Sequence, residues 1–356
     1  MKIMAINSSA RTGIESKTEM MLDSLVAGMR EAGAEVNVVE LRKKKINYCI
    51  GCFTCWTKTP GRCVHNDDMT KELYPMFIES DLAVLATPLY HFTVNAQMKT
   101  FIERTLPVLE PHLIEGIGDR TTHPLRAKHP LLAVLSVAGF PEMAVFDQLS
   151  AYLKFIYREA LVAEIYRPGA ESLAADFFQD QRERVLAATR EAGYELARNL
   201  KIPAGILARV QEPTESGEEM FAIANMVWDT CIAEGVTPRE FVARGLTPRP
   251  NSIDTFLKIM SMGFNPDGAG DTKASIQFVF SGDQAGACHL IVDQGKIQTG
   301  VGEIEHPDIT IHTPFDVWMD ITTNKVDGQQ AFMEQKYQVD GDLNVLLKFQ
   351  TMFGRH

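Results

Sequence analysis

The sequence predicts an α/β protein: a doubly wound parallel sheet of five strands, followed by a smaller α+β unit. Two observations carry this. From Lys2 to about Leu200, short apolar runs alternate five times with segments of helical periodicity, a pattern that demands crossover connections and a parallel sheet. From Lys273 the rhythm changes to period two, with Ile276, Phe278 and Phe280 alternating with Ser275, Gln277 and Val279, as in a half-buried antiparallel meander. A chain of 356 residues is long for one domain. The boundaries fall at 1–200, at a helical connector 201–251 interrupted by Pro203, Pro213, Pro248 and Pro250, and at 252–356.

Composition narrows the function. With 45% apolar and 23% charged residues, the chain can bury a core in each half. A net charge of −11 argues against nucleic acid, which needs a basic surface. The run Arg42-Lys43-Lys44-Lys45 reads as a solvated strand end, with steering of an anionic nucleotide as the alternative. The opening Ile3-Met4-Ala5-Ile6 lacks the basic flank of a secretory leader. No apolar stretch is long enough for a bilayer. Together with reduced cysteines these features predict a cytoplasmic protein without a transmembrane segment.

The first strand, Lys2 to Asn7, runs into the polar loop Ser8-Ser9-Ala10-Arg11-Thr12-Gly13. A helix opens at Ser16, where Ser16-Lys17-Thr18-Glu19 has the form of a capping box. A strand–loop–helix junction gathers backbone N–H groups and the positive helix end, an anion site by construction. It has neither the G-x-G-x-x-G nor the phosphate-loop lysine pattern, so a single phosphate monoester suits it better than a dinucleotide or triphosphate. Turn chemistry and a plain N-cap account equally for Ser8, Ser9 and Ser16.

Glu35 to Leu41 is the second strand. The stretch from Tyr48 to Met69 follows it and holds four of the six cysteines, Cys49, Cys52, Cys55 and Cys63, spaced C-x2-C-x2-C-x7-C. Three crowded thiolates and one detached fit a [4Fe–4S] cube. Zinc prefers two separated pairs, and a redox dithiol or buried free thiols stay open. Asp68 is placed to cap the next helix, from about Thr70. The continuous apolar strand Leu82 to Thr87 suits a sheet buried on both faces and ends in Pro88-Leu89-Tyr90-His91-Phe92. A helix from about Asn95 to Leu106 is next. A strand from Leu131 ends at Gly139, then come a helix from about Pro141 to Tyr157, a fifth strand from Leu161 to Tyr166 and a long helix from Phe178 to Leu200. Ligands of such sheets bind at the carboxyl ends of the strands, so the phosphate loop, the cysteines and the aromatic loop share one rim.

Helices follow at about 218–233, from the capping box Thr237-Pro238-Arg239-Glu240, and at Ile253 to Met262. Strands are expected at 273–280, around His289 to Val292 and at Ile309 to Ile311. Helices at Pro314 to Thr323 and Gln329 to Glu334, a strand at Tyr337 to Val339 and a last helix from Asp342 close the chain. Cys231 and Cys288 read as core residues.

Several of these pieces together resemble known families. The first 200 residues resemble the flavodoxin-like NADPH-dependent FMN reductases, and among them the iron–sulfur flavoproteins. The resemblance rests on Ser8-Ser9-Ala10-Arg11 with Ser16 and Thr18, on the four cysteines ahead of Asp67-Asp68-Met69, and on Thr87-Pro88-Leu89-Tyr90-His91-Phe92 followed by Lys99 and Glu103-Arg104. It implies a flavodoxin-like fold and an FMN whose phosphate is held by Ser8, Ser9, Arg11, Ser16, Lys17 and Thr18. It further implies that Pro88, Leu89, Tyr90, His91 and Phe92 lie against the isoalloxazine ring. The turn from Ser136 to Phe140, with Gly139, touches it from the other side. It implies a [4Fe–4S] cluster on Cys49, Cys52, Cys55 and Cys63, a nicotinamide or ferredoxin electron donor with NAD(P)H as co-substrate, and a homo-oligomer. Trp56 to Arg62 is a departure, lengthening the gap before Cys63 into a structured insertion. Tyr90 and His91 are the candidate catalytic residues, with ring packing and a plain loop surface as their alternatives.

The region from Ser252 resembles the sterol-carrier-protein (SCP-2-like) domain, through His306-Pro307-Asp308-Ile309-Thr310-Ile311, Thr313-Pro314-Phe315-Asp316-Val317-Trp318, Asp327-Gly328-Gln329-Gln330-Ala331-Phe332-Met333 and Gly341-Asp342-Leu343. That implies a lipid or other apolar small molecule between sheet and helices. Two functions compete: an FMN-dependent oxidoreductase that reduces a small acceptor such as a quinone, and a lipid carrier whose first half is a scaffold.

Overall fold

The computed structural model describes residues 1–116, 121–174, 178–213 and 217–353. The chain divides into two compact units, Met1–Thr214 and Glu215–His356.

In the first unit, β1 (Lys2–Asn7), β2 (Glu35–Glu40), β3 (Leu82–Pro88), β6 (Leu131–Val137) and β7 (Leu161–Arg167) form one parallel sheet in the order β2-β1-β3-β6-β7. This is the doubly wound, flavodoxin-like order. Every residue of β3 is buried, as its unbroken apolar run requires. Helices α1 (Lys17–Glu31), α5 (Gln179–Asn199) and α6 (Ala204–Val210) cover one face through Met21, Leu25, Val185, Leu196 and Ile206. The other face packs on α2 (Tyr74–Glu79), α3 (Ala96–Glu103) and α4 (Asp147–Tyr157) through Phe77, Met98, Phe101, Leu149 and Leu153. The pair β4 (Ile114–Glu115) and β5 (Thr121–Thr122) forms a short antiparallel ladder of its own.

Two glycines set how closely α1 and α5 approach. A Cβ on Gly28 would stand 1.7 Å from the Arg190 carbonyl oxygen, and one on Gly193 would stand 2.0 Å from that of Leu25. No side chain fits either position without the helices parting.

The helix starts follow capping chemistry with two corrections. Ser16 caps α1 by accepting from the Glu19 N–H at 3.1 Å. The reciprocal half of the expected box is absent, because the Glu19 carboxylate instead accepts from the Gly13 N–H and from Arg42. The segment after the cysteines opens as one π-type turn, Met69–Leu73. Asp67, not Asp68, caps it, accepting from the Thr70 N–H at 3.2 Å. Asp68 reaches back to the Lys45 N–H at 2.7 Å. Asp67 wins because its carboxylate is the one turned inward.

The second unit begins with α7 (Gly217–Glu234), α8 (Pro238–Ala243), α9 (Ile253–Met262) and α10 (Pro266–Ala269). Thr237 and Glu240 form the reciprocal capping box that their spacing predicts. The sheet contains β8 (Lys273–Ser281), β9 (Gly286–Asp293), β10 (Lys296–Val301), β11 (Ile309–Pro314) and β12 (Gln338–Gly341), ordered β10-β9-β8-β11-β12. The expected antiparallel pairing holds for β8 and β9, and β10, which the sequence reading did not place, continues it; β11 instead pairs with β8 in parallel. Residues 302–308 make the crossing. They are pinned by the Ile304 N–H donating to Gln277 Oε1 at 2.8 Å and by the Asp308 carboxylate on the Ser275 N–H and hydroxyl at 2.7 and 2.6 Å. Helices α11 (Phe315–Thr322), α12 (Gly328–Met333) and α13 (Leu343–Phe353) complete the unit. Residues 354–356, the end of the predicted C-terminal region, lie outside the described residues.

This second core is aromatic. Phe278 meets Phe256, Phe280, Trp318 and Phe349 with ring centroids 5.0–6.2 Å apart. Cys231 and Cys288 are buried, and burial pushes the Cys288 thiol up to about 12. Among the described residues no helix is long and apolar enough to cross a membrane.

Candidate functional site

All five strands of the first sheet run parallel, so the segments that follow them emerge on one edge, and the predicted residues gather there. Ser9 and Ser16 are buried with their hydroxyls 2.8 Å apart, and the Arg11 N–H donates to Ser9 Oγ at 3.2 Å. The Lys17 side chain is 9% exposed. Ser8 is fully buried and spends both its N–H and its hydroxyl on the Ala86 carbonyl, at 2.9 and 3.1 Å. Thr18 is buried in the first turn of α1.

Residues that sequence reasoning missed hold this loop in place. Arg42 donates to the carbonyls of Ser9 and Arg11 at 3.4 and 3.1 Å and pairs with Glu19 and Glu40. Lys43 pairs with Glu40 and Lys44 with Glu72. The basic run is therefore a clamp knitted to acids rather than a steering patch. Its signal was Glu40, two residues before Arg42, and Glu19 on the neighbouring helix. Asn95, the N-cap of α3, donates to the Ser8 carbonyl at 2.6 Å. From the segment after β7, Glu171 reaches Lys17 at 2.7 Å and Arg11 at 3.7 Å. A carboxylate thus already sits where two cations meet, which is the electrostatics an anion needs.

The loop after β3 closes as a tight turn, with reciprocal N–H···O bonds of 3.1 Å between Tyr90 and Thr93. His91 and Phe92 both take left-handed backbone conformations, φ +47° and +60°. For such residues this costs about 1–3 kcal/mol each and persists where the surroundings enforce it. Tyr90, His91 and Phe92 are exposed, Leu89 is half-buried and Pro88 is buried within β3. Phe92 stacks against Phe140, from the turn after β6, at 6.1 Å and 16°. Gly139 is exposed beside Phe140, and a Cβ there would lie 3.6 Å from Glu171. Ser136 is fully buried, its hydroxyl without a partner among the described residues, so of that turn Gly139 and Phe140 face the rim.

The cysteine loop lies beyond β2. Cys49, Cys52, Cys55 and Cys63 all line one small recess, together with Ile50, Phe53, Val64, His65, Arg104 and Leu106. Glycine permits the turn at Gly51, φ +64°, and Phe53 follows at φ +52°. Trp56 to Arg62 is an ordered cap. The Gly61 N–H donates to the Cys55 carbonyl at 2.9 Å, and Trp56 Nε1 to the Leu106 carbonyl at 3.3 Å. Burial first, then the neighbouring cysteine sulfurs, pushes the Cys55 thiol up. Thr54 pulls the exposed Cys52 thiol down. No group of three or more His, Cys, Asp or Glu among the described residues is set to hold a metal ion. The recess is anchored by a buried ion pair. Arg104 donates to both Asp67 oxygens at 2.7 and 3.0 Å, and to the Asn47 carbonyl and the Thr70 hydroxyl.

Comparison with known proteins gives an independent reading. The chain is 48% identical over 108 residues to an iron-sulfur flavoprotein of Archaeoglobus fulgidus, covering 30% of this chain and 46% of that protein. It is 34% identical over 118 residues to an iron-sulfur flavoprotein of Methanocaldococcus jannaschii, covering 33% and 57%. The chain thus spans about half the length of the curated relatives it matches. A solved FMN-dependent NADH-azoreductase from Bacillus anthracis in complex with FMN aligns at 14% identity and TM-score 0.42, over 55% of this chain and 100% of the other. The chain joins two family regions: residues 1–156 match the family model of NADPH-dependent FMN reductase, and residues 266–354 match that of the SCP-2 sterol transfer family.

Proposed function

We propose that the protein is an FMN-dependent oxidoreductase carrying a [4Fe–4S] cluster. In this reading it takes electrons from a nicotinamide or ferredoxin donor and passes them to a small, apolar acceptor such as a quinone. The observation that carries the reading is the convergence on one sheet edge of an anion loop, a stacked aromatic pair and a recess lined by four cysteines.

The residue types present are chemically suited to both groups. Ser9, Ser16, Lys17 and Arg11 suit a phosphate monoester, with Glu171 as the carboxylate it displaces. Gly139 leaves room that a side chain would fill against Glu171. Tyr90, His91 and Phe92, held by the strained turn, and Phe140 offer the aromatic and polar surface for a flavin ring and its substrate. Four thiols around one recess are the donor set of an iron–sulfur cube. FMN supplies two-electron or hydride exchange and single-electron release; the chain supplies binding, orientation and tuning.

An apolar ligand in the second unit has its own support. Besides the family match, Phe332, Met333, Leu343 and Leu347 of α12 and α13 are exposed, an apolar surface suited to a lipid or a hydrophobic acceptor.

The decisive experiment is an absorbance spectrum of protein purified without oxygen, with iron and sulfide assayed on the same sample and extracted lipid examined by mass spectrometry. Flavin bands with about four irons per chain are expected. Flavin without iron leaves an FMN reductase with structural or redox-active thiols. A colourless, lipid-loaded protein overturns the oxidoreductase reading in favour of a lipid carrier.

A further inference from the structure

The cysteines are not the whole of their recess. Arg104 and His65 line it with them, and each carries a buried ring or guanidinium nitrogen without a partner of good geometry. Arg104 spends Nη1 and Nη2 on Asp67, Asn47 and Thr70. Its Nε is buried with no acceptor of good geometry among the described residues beside the Cys63 sulfur, which the guanidinium also meets, and Nε2 of His65 is buried without a partner. The Arg104 side chain is only 1% exposed. Buried donors left unmade are costly; the Arg104 Nε–H is one, and His65 Nε2 is a second in the tautomer that carries its proton there, so the two together call for an acceptor inside the recess. The recess is otherwise walled by Ile50, Phe53, Val64, Leu106 and Pro107, by the four cysteines and by Glu103, whose carboxylate is paired with Lys99. The Cys63 sulfur lies close enough to the guanidinium that, against the effect of burial, Asp67 and Cys63 together strengthen the charge on Arg104.

We propose that Arg104 Nε–H and His65 Nε2–H are hydrogen-bond donors to the sulfur atoms held in this recess, both cysteine thiolate and inorganic sulfide, and that they raise the reduction potential of the group bound there. This rests on the cluster reading above. An added electron makes those sulfurs more negative, so a donor aimed at them favours the reduced form. Asp67 balances the full charge of Arg104, and the Nε–H dipole is what remains to act locally. The two-pronged ion pair also holds that dipole fixed, so none of its effect is lost to reorientation.

The test uses the full-length chain, loaded without oxygen and titrated with dithionite and mediator dyes. Each one-electron midpoint is followed by EPR, with iron and sulfide counted on every sample. In His65→Leu and Arg104→Lys we expect iron to stay as in the wild type, EPR g-values to change and the cluster midpoint to fall. The fall should reach a tenfold change in the oxidised-to-reduced ratio, about 59 mV for one electron. His65→Gln, which keeps an N–H near the place of Nε2, should restore most of it, and the flavin midpoint read in the same titration should not move. Should Arg104→Lys fail to fold, the His65 pair still decides. Full iron with an unmoved cluster midpoint in His65→Leu overturns the proposal and leaves the cluster reading intact. Loss of iron in His65→Leu alone makes His65 a ligand and overturns its role as donor. Wild-type protein that takes up no iron overturns the cluster reading and the proposal with it.

Discussion

At the scale of single residues, Asp67 shows how the site and the fold share one side chain. Burial alone would raise its pKa. Arg104 and the N–H groups of Asn47 and Thr70 reverse that and hold the carboxyl far below the ordinary range. The sign follows: a group whose folded pKa is depressed stabilises fully above its unfolded value, about 3.9, and the contribution is lost as pH falls below that value toward the depressed one. Asp67→Asn, which strands the buried Arg104 charge, should therefore cost about 3–5 kcal/mol at neutral pH. It should also flatten the loss of stability below about pH 4, as read by urea unfolding across the acid range. An unchanged midpoint at pH 7 would show that Arg104 finds another anion. The sequence displayed Asp67 and Asp68 side by side, but not which of them faces inward. That choice depends on a residue 37 positions away, and no local pattern encodes it. For the same reason Ser16 was legible as a cap while Arg42 was not. A cap is settled within three residues, whereas the Arg42 clamp needs β1, β2 and α1 to have met.

At the scale of elements, apolar periodicity read most of the strands and helices correctly, because β1, β3 and β6 are buried over nearly their whole length and announce themselves as unbroken runs. The exceptions are β10, which the sequence reading did not place, and β11. Ile309 and Ile311 identify a strand but not its neighbour, and direction was set by the crossing at 302–308, whose pins, Gln277 and Ser275, sit in β8. The seam between α1 and α5 was also invisible, since glycine inside a helix reads only as a weak helix former. The structure makes Gly28 and Gly193 the two closest points of that seam. Gly193→Ala should therefore destabilise the first unit by about 1–3 kcal/mol through overpacking, although alanine is the better helix former. A gain in thermal stability would show that the helices can separate at little cost.

At the scale of the whole molecule, two units with separate cores should not melt as one. Calorimetry should resolve two transitions, so a single unfolding free energy does not describe this chain. Added FMN should raise only the transition of residues 1–214, by mass action on the folded form. A single transition, or a shift of both, would mean that the units unfold together. Covalent union has a further consequence. On the proposed reading, a molecule held by the second unit would be present in one-to-one stoichiometry with the first. Covalent linkage would then present it at an effective concentration on the order of millimolar, whatever its scarcity in the surrounding solution. A sparingly soluble molecule could thus be handled by a site with only modest intrinsic affinity for it, and turnover would then depend less on the bulk supply of that molecule than on how quickly the second unit reloads.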